Sequence, residues 1–302
     1  MDILVTGGTV FASRYTAEYF AVQGHNVYVL NRGSKPQSSG VNLICADRHH
    51  LSNELKKHHF DAVIDVTSYC GRDVNDLLDG LGKFDQYILI SSSAVYPETL
   101  PQPFREDQTC GPNSVWGAYG TNKIEAENAL LERVPQAYII RPPYLYGPMN
   151  NLHREAFVFE CAENDRPFYL PDDGSQKLQF FHIDDMCRFI SLLIDKKPEQ
   201  HVFNVGEPKS VTIREWVEKC YAVLGKTPRF IEVSRDVPQR SYFPFYAYEY
   251  ELDVAEMDRI MPNLTPLSQG LSQSCEWFRD NRELIVRKPL FEFIDKELRG
   301  NI

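Results

Sequence analysis

The sequence contains no CxxC pair, no apolar run long enough to cross a membrane and no excess of basic residues. Its seven cysteines are scattered along the chain, which favours free thiols in a reducing compartment over a disulfide framework. Since the amino terminus lacks the basic region of a signal peptide, we expect a cytoplasmic protein with no membrane partner. Lys and Arg total 32 against 42 Asp and Glu, and this net charge of −10 argues against nucleic acid as the main partner.

The 302 residues have a globular composition, with 43% hydrophobic and 25% charged residues. In the first 150 residues, short apolar runs alternate with segments in which apolar residues recur at helical spacing. The runs are continuous, which is typical of strands buried on both faces of a parallel sheet. We therefore predict a doubly wound, Rossmann-like α/β fold. Strands are predicted at residues 3–5, 27–30, 41–45, 62–66, 87–90 and 137–140, and helices at 12–23, 51–58, 74–81 and 119–133.

The alternation of strands and helices ends near Asn150, and the later segments follow no regular order. Strands are predicted at residues 178–182 and 202–205, with helices between and after them. We predict a first domain over residues 1–150, to which residues near 178–206 return. A second, smaller α+β domain is predicted over residues 151–177 and 207–302.

A glycine-containing turn, VTGGTVFAS at residues 5–13, joins the first predicted strand to the first predicted helix. Helix N-terminal N–H groups attract a pyrophosphate at such a turn, and glycines let the backbone approach it. A Gly-x-x-Gly-x-x-Gly pattern would place glycine at positions 7, 10 and 13, where this chain has Gly7, Val10 and Ser13. The turn therefore fits a dinucleotide site, but it also fits a plain strand-to-helix turn that binds no ligand.

The end of the second predicted strand bears on which dinucleotide would bind. An acidic residue at this position accepts hydrogen bonds from the ribose of NAD, whereas this chain has Asn31 and Arg32. No carboxylate repels a 2′-phosphate here, and Arg32 could pair with one. The segment favours NADP over NAD, unless it is an ordinary solvated loop.

Tyr119 and Lys123 are four residues apart in a predicted helix, so their side chains share one face. The Lys123 ammonium would favour the phenolate of Tyr119, which makes this tyrosine a candidate general acid and base. Ser92 lies just after the fifth predicted strand, at the edge where parallel sheets bind ligands. Its hydroxyl could hydrogen-bond a reacting oxygen, or it could simply be a polar strand end. The histidine pairs at residues 49–50 and 58–59 have no metal-ligand spacing, and no metal site is predicted.

Five motifs follow one another in order: TGGT at 6–9, SSSAVY at 91–96, YGTNK at 119–123, RPPYLYGP at 141–148 and FHIDDM at 181–186. Together they resemble the extended short-chain dehydrogenase/reductase superfamily, in its NAD-dependent epimerase/dehydratase family. The GGTxF opening and the Asn31-Arg32-Gly33 segment resemble an atypical branch, that of the chloroplast stem-loop-binding proteins, which is described as RNA-associated.

The resemblance implies catalytic roles for three residues. Ser92 would donate a hydroxyl to the reacting oxygen, Tyr119 would be the general acid and base, and Lys123 would also hold the nicotinamide ribose. NAD or NADP would be the cofactor, and a homodimer is the family's usual assembly. The cofactor-binding residues that the resemblance implies are Gly7, Thr9, Val10, Phe11, Asn31, Arg32, Asp47, Thr67, Tyr119, Lys123, Pro143 and Tyr144.

Two departures from the family pattern bear on the reaction. Ser93 and Ala94 stand where dehydratases of the family have an Asp-Glu pair, so 4,6-dehydration is not expected. Leu178 stands where members acting on nucleotide sugars carry an arginine for the diphosphate, and Lys177 or Arg154 would have to replace it.

The prediction is an NAD(P)-dependent oxidoreductase or epimerase that acts on a hydroxyl or keto carbon of a sugar-like or nucleotide-sugar substrate. The alternative is a cofactor-binding scaffold with an RNA or protein partner and little catalysis.

Overall fold

The structure is a computed structural model that describes residues 1–299. The strands are β1 Asp2–Thr6, β2 Asn26–Asn31, β3 Val41–Cys45, β4 His59–Asp65, β5 Lys83–Ile90, β6 Tyr138–Arg141, β7 Tyr144–Tyr146, β8 Phe168–Pro171, β9 Lys177–Leu178, β10 Phe180–His182, β11 Val202–Asn204, β12 Val211–Thr212 and β13 Phe230–Val233. The helices are α1 Phe11–Val22, α2 Gly71–Gly80, α3 Ala118–Arg133, α4 Glu155–Glu163, α5 Ile183–Lys196, α6 Ile213–Val223, α7 Ala255–Ile260, α8 Leu267–Asp280 and α9 Leu290–Phe293.

A seven-stranded parallel sheet has the order β11-β6-β5-β4-β1-β2-β3. The doubly wound α/β fold predicted from the sequence is confirmed. From β1 the chain first builds outward through β2 and β3, then returns to β4 on the other side of β1 and continues outward. The strand order therefore reverses between β1 and β4, and doubly wound sheets bind ligands at the carboxyl edge beside such a reversal.

Burial explains why these segments form strands. Residues Ile3, Leu4 and Val5 of β1 are fully buried, as are the central residues of β4. Continuous apolar sequence is required there because helices cover both faces of the sheet. The edge strand β3 is mostly exposed, with Asn42 and Leu43 open to solvent.

The chain forms two compact units. The first comprises Met1–Leu145, Phe181–Pro208 and Leu252–Leu264, and the second comprises Tyr146–Phe180, Lys209–Glu251 and residues 265–299. The sequence assigned residues 252–264 to the smaller domain, whereas their contacts place them in the first unit. A backbone hydrogen bond from Asp253 to Phe104 O, 2.8 Å long, anchors this segment there. Because these two residues lie far apart in the sequence, no local sequence pattern indicates that they pair.

The second unit has an aromatic core around α6. The ring of Trp216 stacks on Phe180 at 5.6 Å between centroids and meets Phe245 edge-on at 5.2 Å. Phe243 and Tyr242, from the aromatic stretch that follows β13, are buried as well. Most of this stretch is therefore part of the core.

The helix predicted at residues 51–58 is wrong, because the segment folds as successive turns. Asp47 lies shortly after β3, and its side chain accepts a hydrogen bond from His49 N. This bond caps a 3₁₀ turn at Arg48–His50. Glu54 then accepts from Ser52 N at 2.7 Å. These local side-chain bonds compete with helical ones, and so short a segment gains little from helix propagation. The strand predicted at residues 178–182 is interrupted between β9 and β10.

Helix α3 approaches the sheet edge closely at Gly120. A Cβ atom there would lie 2.4 Å from the carbonyl oxygen of Ala94, in the 3₁₀ turn Ser93–Val95 that follows β5. Only glycine allows this approach, which brings the first turn of α3 against the turn capped by Ser92. No helix within residues 1–299 combines the length and the hydrophobicity that a membrane crossing requires.

Candidate active site

The turn after β1 contains two glycines in a conformation that other residues rarely adopt. Gly7 and Gly8 have φ angles of 91° and 88°. A Cβ on Gly7 would lie 2.8 Å from Ser13 Oγ, and one on Gly8 would lie 2.5 Å from a methyl carbon of Val29. Both the conformation and the space therefore require glycine at these two positions.

Helix α1 begins directly after this turn, and no side chain caps its first turn. Val10 precedes the helix in extended conformation, with φ at −141°, and its carbonyl accepts a hydrogen bond from Ser13 Oγ at 3.0 Å. Phe11, the first helical residue, has φ at 34°, which is unusual for a residue with a side chain. Backbone strain of this kind concentrates at ligand-binding turns.

The end of β2 is tied to the same turn. Asn31 donates its side-chain amide to Gly7 O at 2.7 Å, and its amide oxygen accepts from Gly33 N at 2.9 Å. The neighbouring Arg32 is exposed and makes no hydrogen bond or ion pair with residues 1–299. The hydrogen bond from His49 N, assisted by nearby charges that include Arg32, holds the pKa of Asp47 below its ordinary value.

A cavity of about 300 Å³ opens at the carboxyl edge of β1, β2 and β4. Its lining includes Gly7, Asn31, Arg32, Asp47 and Thr67, so the structure brings together five residues that the sequence assigned to a cofactor site. The cavity lies where the strand order reverses, as expected for a doubly wound sheet.

The other sequence-predicted residues lie around or beyond this cavity. Thr9, Val10 and Phe11 are half-buried in the turn that precedes and begins α1. Pro143 and Tyr144 follow β6 and do not line the cavity. Tyr144 is buried, and its ring meets Trp116 edge-on at 6.3 Å.

A buried carboxylate that sequence reasoning missed lies below the cavity. Asp65, at the end of β4, accepts hydrogen bonds from Thr6 Oγ1 at 2.7 Å, from Tyr87 OH at 2.6 Å and from the N–H and hydroxyl of Ser68. Arg48 lies 3.6 Å from it. Burial alone would raise the pKa of this carboxyl, but Arg48 and the hydrogen bonds hold it below its ordinary value.

Arg48, which the sequence reasoning also missed, clamps the turn after β4. Its guanidinium donates to Thr67 Oγ1 at 2.6 Å and to Ser68 Oγ at 2.5 Å. One signal was present in the sequence, since Asp65 interrupts an otherwise apolar strand. Nothing local indicates that Arg48 is its partner.

The Lys123 side chain is buried, with 2% of its surface exposed. Its ammonium donates to Ser68 O at 2.7 Å and to Ile90 O at 2.9 Å, and it lies 5.2 Å from the centre of the Tyr69 ring. Burial lowers the pKa of Lys123 to about 8. Tyr119, one helical turn earlier, is 43% exposed.

Ser92 is half-buried at the carboxyl end of β5. Its hydroxyl accepts a hydrogen bond from Ala94 N at 3.2 Å, which caps the turn that Gly120 packs against. The strand end carries Ser92, and the first two turns of α3 carry Tyr119 and Lys123, so these segments are held together at the start of α3. A phenol, an ammonium and a hydroxyl are groups whose chemistry suits proton transfer.

A second buried network supports this strand end. Glu127 accepts from Arg141 Nε and Nη2 at 3.0 and 2.6 Å and also from the Ser91 hydroxyl. Arg141 donates in turn to Tyr96 OH at 2.7 Å, and that hydroxyl donates to Asn204 Oδ1 at 2.8 Å. The network connects α3, β6 and β11 to Ser91, which directly precedes Ser92.

Replacing Glu127 with alanine should lower the free energy of unfolding by about 3–5 kcal/mol, because Arg141 would remain charged and buried without its carboxylate. Glu132→Ala removes an exposed glutamate from the same helix and should change stability by less than about 0.5 kcal/mol. Urea unfolding of the two variants provides the measurement. Equal losses of stability would contradict a special role for the buried pair.

Comparison with known proteins places these observations in a family. Residues 3–206 match the NAD dependent epimerase/dehydratase family. The chain is 26% identical over 282 residues to the chloroplast stem-loop binding protein of 41 kDa b of Arabidopsis thaliana, covering 86% of this chain and 74% of that protein. It is 22% identical to a UDP-N-acetyl-alpha-D-glucosaminuronate decarboxylase of Bacillus cytotoxicus, covering 92% and 97% of the two chains.

Solved structures share the fold at lower identity. The UDP-glucuronic acid 4-epimerase of Bacillus cereus, crystallised with UDP-glucuronic acid and NAD, aligns with a TM-score of 0.70 at 20% identity and covers 93% of this chain and 99% of its own. The dTDP-glucose 4,6-dehydratase of Bacillus anthracis, in complex with NAD, aligns with a TM-score of 0.72 at 19% identity and covers 96% and 99%. The resemblance drawn from the five motifs is confirmed, and the chain belongs to the NAD dependent epimerase/dehydratase family.

Proposed function

We propose that the protein is an NAD(P)-dependent oxidoreductase or epimerase that acts on a hydroxyl or keto carbon of a sugar substrate. One observation carries the proposal: a buried ammonium, Lys123, lies one helical turn after Tyr119 and is held by two main-chain carbonyls at the sheet edge. Burying such a cation costs free energy. A buried titratable group with a shifted pKa, one helical turn from an exposed phenol, is typical of a functional site.

The residues at the sheet edge fit a dinucleotide. Gly7 and Gly8 give the turn a conformation and a close packing that other residues do not allow, and the uncapped first turn of α1 leaves N–H groups for a pyrophosphate. Val10 differs from the family's glycine, but its extended backbone is open to any residue. Asp47 and Thr67 line the same cavity and would hold the nucleoside end.

A bound nicotinamide supplies the hydride acceptor or donor. Lys123 keeps positive charge beside Tyr119 and favours its phenolate, which lets Tyr119 take a proton from a substrate hydroxyl or return it. Ser92 donates its hydroxyl to the substrate oxygen and stabilises the charge that develops there.

Arg32 supports a preference for NADP. It lines the cavity beside Asn31, and among residues 1–299 it makes no hydrogen bond or ion pair, although its charge acts on Asp47 in the same cavity. A 2′-phosphate would supply a charged partner at that point. An unmodified ribose would leave the guanidinium exposed, as it is now.

A group of cations in the second unit supports a substrate with a diphosphate. Burial and the charges of Arg240 and Arg154 lower the pKa of Lys288 to about 8, so the three cations are close together. Arg154 and Arg240 lie over the consecutive rings of Phe245 and Tyr246, at 5.5 and 4.5 Å. In the family pattern an arginine for the diphosphate stands at the position of Leu178. We propose that this cluster of three cations takes the role of that arginine and that the substrate is a nucleotide diphosphate sugar.

Tyr119→Phe tests the catalytic assignment. The variant should lose about 10²–10⁴-fold in turnover, because the ring remains but the transferable proton is gone. Thermal shift with NAD and NADP should be unchanged, since the phenol is not the main source of binding. Tyr19→Phe, in α1, is the control and should retain full turnover. A panel of UDP-, GDP- and dTDP-sugars provides substrates, and cofactor binding without turnover on any of them would favour the scaffold alternative.

Arg32→Ala tests the cofactor preference. Affinity for NADP should fall about tenfold, the effect of losing one charge-assisted hydrogen bond, while affinity for NAD should change little. Lys56→Ala removes an exposed cation that does not line the cavity and should leave both affinities unchanged. Titration calorimetry measures the two constants. A parallel loss for NAD and NADP would contradict the proposed contact.

Arg154→Ala tests the substrate class, with UDP alone as the probe. UDP should bind the parent protein, and the variant should bind it at least about tenfold more weakly because a phosphate loses a cationic partner. Arg229→Ala removes an exposed cation of the same unit and should have no effect. Equal affinity in the parent and Arg154→Ala would count against the cluster of three cations as a diphosphate site.

A further inference from the structure

One serine connects the buried carboxylate to the buried ammonium. The Ser68 hydroxyl donates to Asp65 and accepts from Arg48, while the Ser68 carbonyl accepts from Lys123 at 2.7 Å. Arg48 also fixes the preceding residue through Thr67 Oγ1. The position of the carbonyl that receives the ammonium therefore depends on the ion pair on the other side of the turn.

We propose that Arg48 and Asp65 are positioning residues, which hold the turn against the Lys123 ammonium and set the charge that this ammonium keeps beside Tyr119. The inference rests on the proposed function for its consequence in catalysis. Its physical content, the effect of the pair on Lys123, stands independently of any substrate.

Burial and four charged groups set the charge balance of Lys123. Burial favours the neutral amine most strongly, Asp65 of β4, Glu127 of α3 and Asp73 of α2 oppose this effect, and Arg48 adds to it. The ring of Tyr69 faces the ammonium as well. Asp65 and Arg48 act in opposite directions, so removing one or the other must shift Lys123 in opposite directions.

The direction of each expected pH shift follows from the charge that Lys123 needs for activity. Activity needs Lys123 protonated, so it should fall as the pH rises through the lysine pKa of about 8. Without Arg48, the ammonium loses a repelling cation, and its pKa should rise. Without the Asp65 charge, Arg48 is no longer neutralised, and the pKa of Lys123 should fall.

The experiment compares the alkaline limb of the pH profile of kcat/KM in two variants. Arg48→Gln should move the limb upward and Asp65→Asn should move it downward, each by about one pH unit. Arg48→Lys retains a cation and should keep the limb nearer to its original position. Arg133→Gln removes an arginine that pairs with Asp79 at the other end of α3 and should leave the limb in place. A purely structural role would lower the rates without moving the limb in opposite directions.

A second readout separates this inference from the proposed function. Carbon-13 NMR of lysine-labelled protein follows the titration of Lys123 directly, with Lys123→Met identifying its resonance. Opposite displacements of this titration support the inference even if no tested sugar is turned over. Should Asp65→Asn fail to fold, an upward displacement in Arg48→Gln still supports it. An unchanged titration in Arg48→Gln overturns it.

Discussion

Burying a carboxylate at the end of a central strand costs free energy unless its oxygens accept hydrogen bonds and a cation lies nearby. Asp65 lies in that position, and its partners come from β1, from β5, from its own turn and from Arg48. Satisfying one buried charge therefore fixes the strand ends beside the reversal of strand order. That edge is where the cavity opens.

Strand β5 joins this network to a second one. Near its middle, Tyr87 donates to Asp65, and just beyond its end Ser91 donates to Glu127. Between these two residues, Ile90 O accepts from Lys123. The two networks hold the strand from both sides, so Ser92 emerges from a backbone with little freedom. Preorganisation of this kind is what a hydroxyl needs in order to stabilise charge in a transition state.

The sequence was sufficient for features that depend on nearby residues. Continuous apolar runs predicted the central strands, and helical spacing placed Tyr119 and Lys123 on one face of α3. It failed where local side-chain bonds override helical spacing and where distant residues decide. The turns at residues 51–58 follow from local side-chain bonds and from their place beside Asp47, and residues 252–264 return to the first unit through Phe104. Arg48 could not be paired with Asp65 because the pairing exists only after β4 has joined the sheet.

The absence of two of the family's glycines from the turn after β1 does not distort the backbone of this turn. Glycine is needed for conformation at positions 7 and 8, and both are present. At position 10 the backbone is extended, so valine causes no strain there. At position 13, the serine hydroxyl bonds to Val10 O and lies close to Gly7, which fills the space between helix and strand. The turn therefore keeps the backbone conformation that Gly7 and Gly8 allow, and its altered sequence changes the side chains at positions 10 and 13 rather than the shape of the turn.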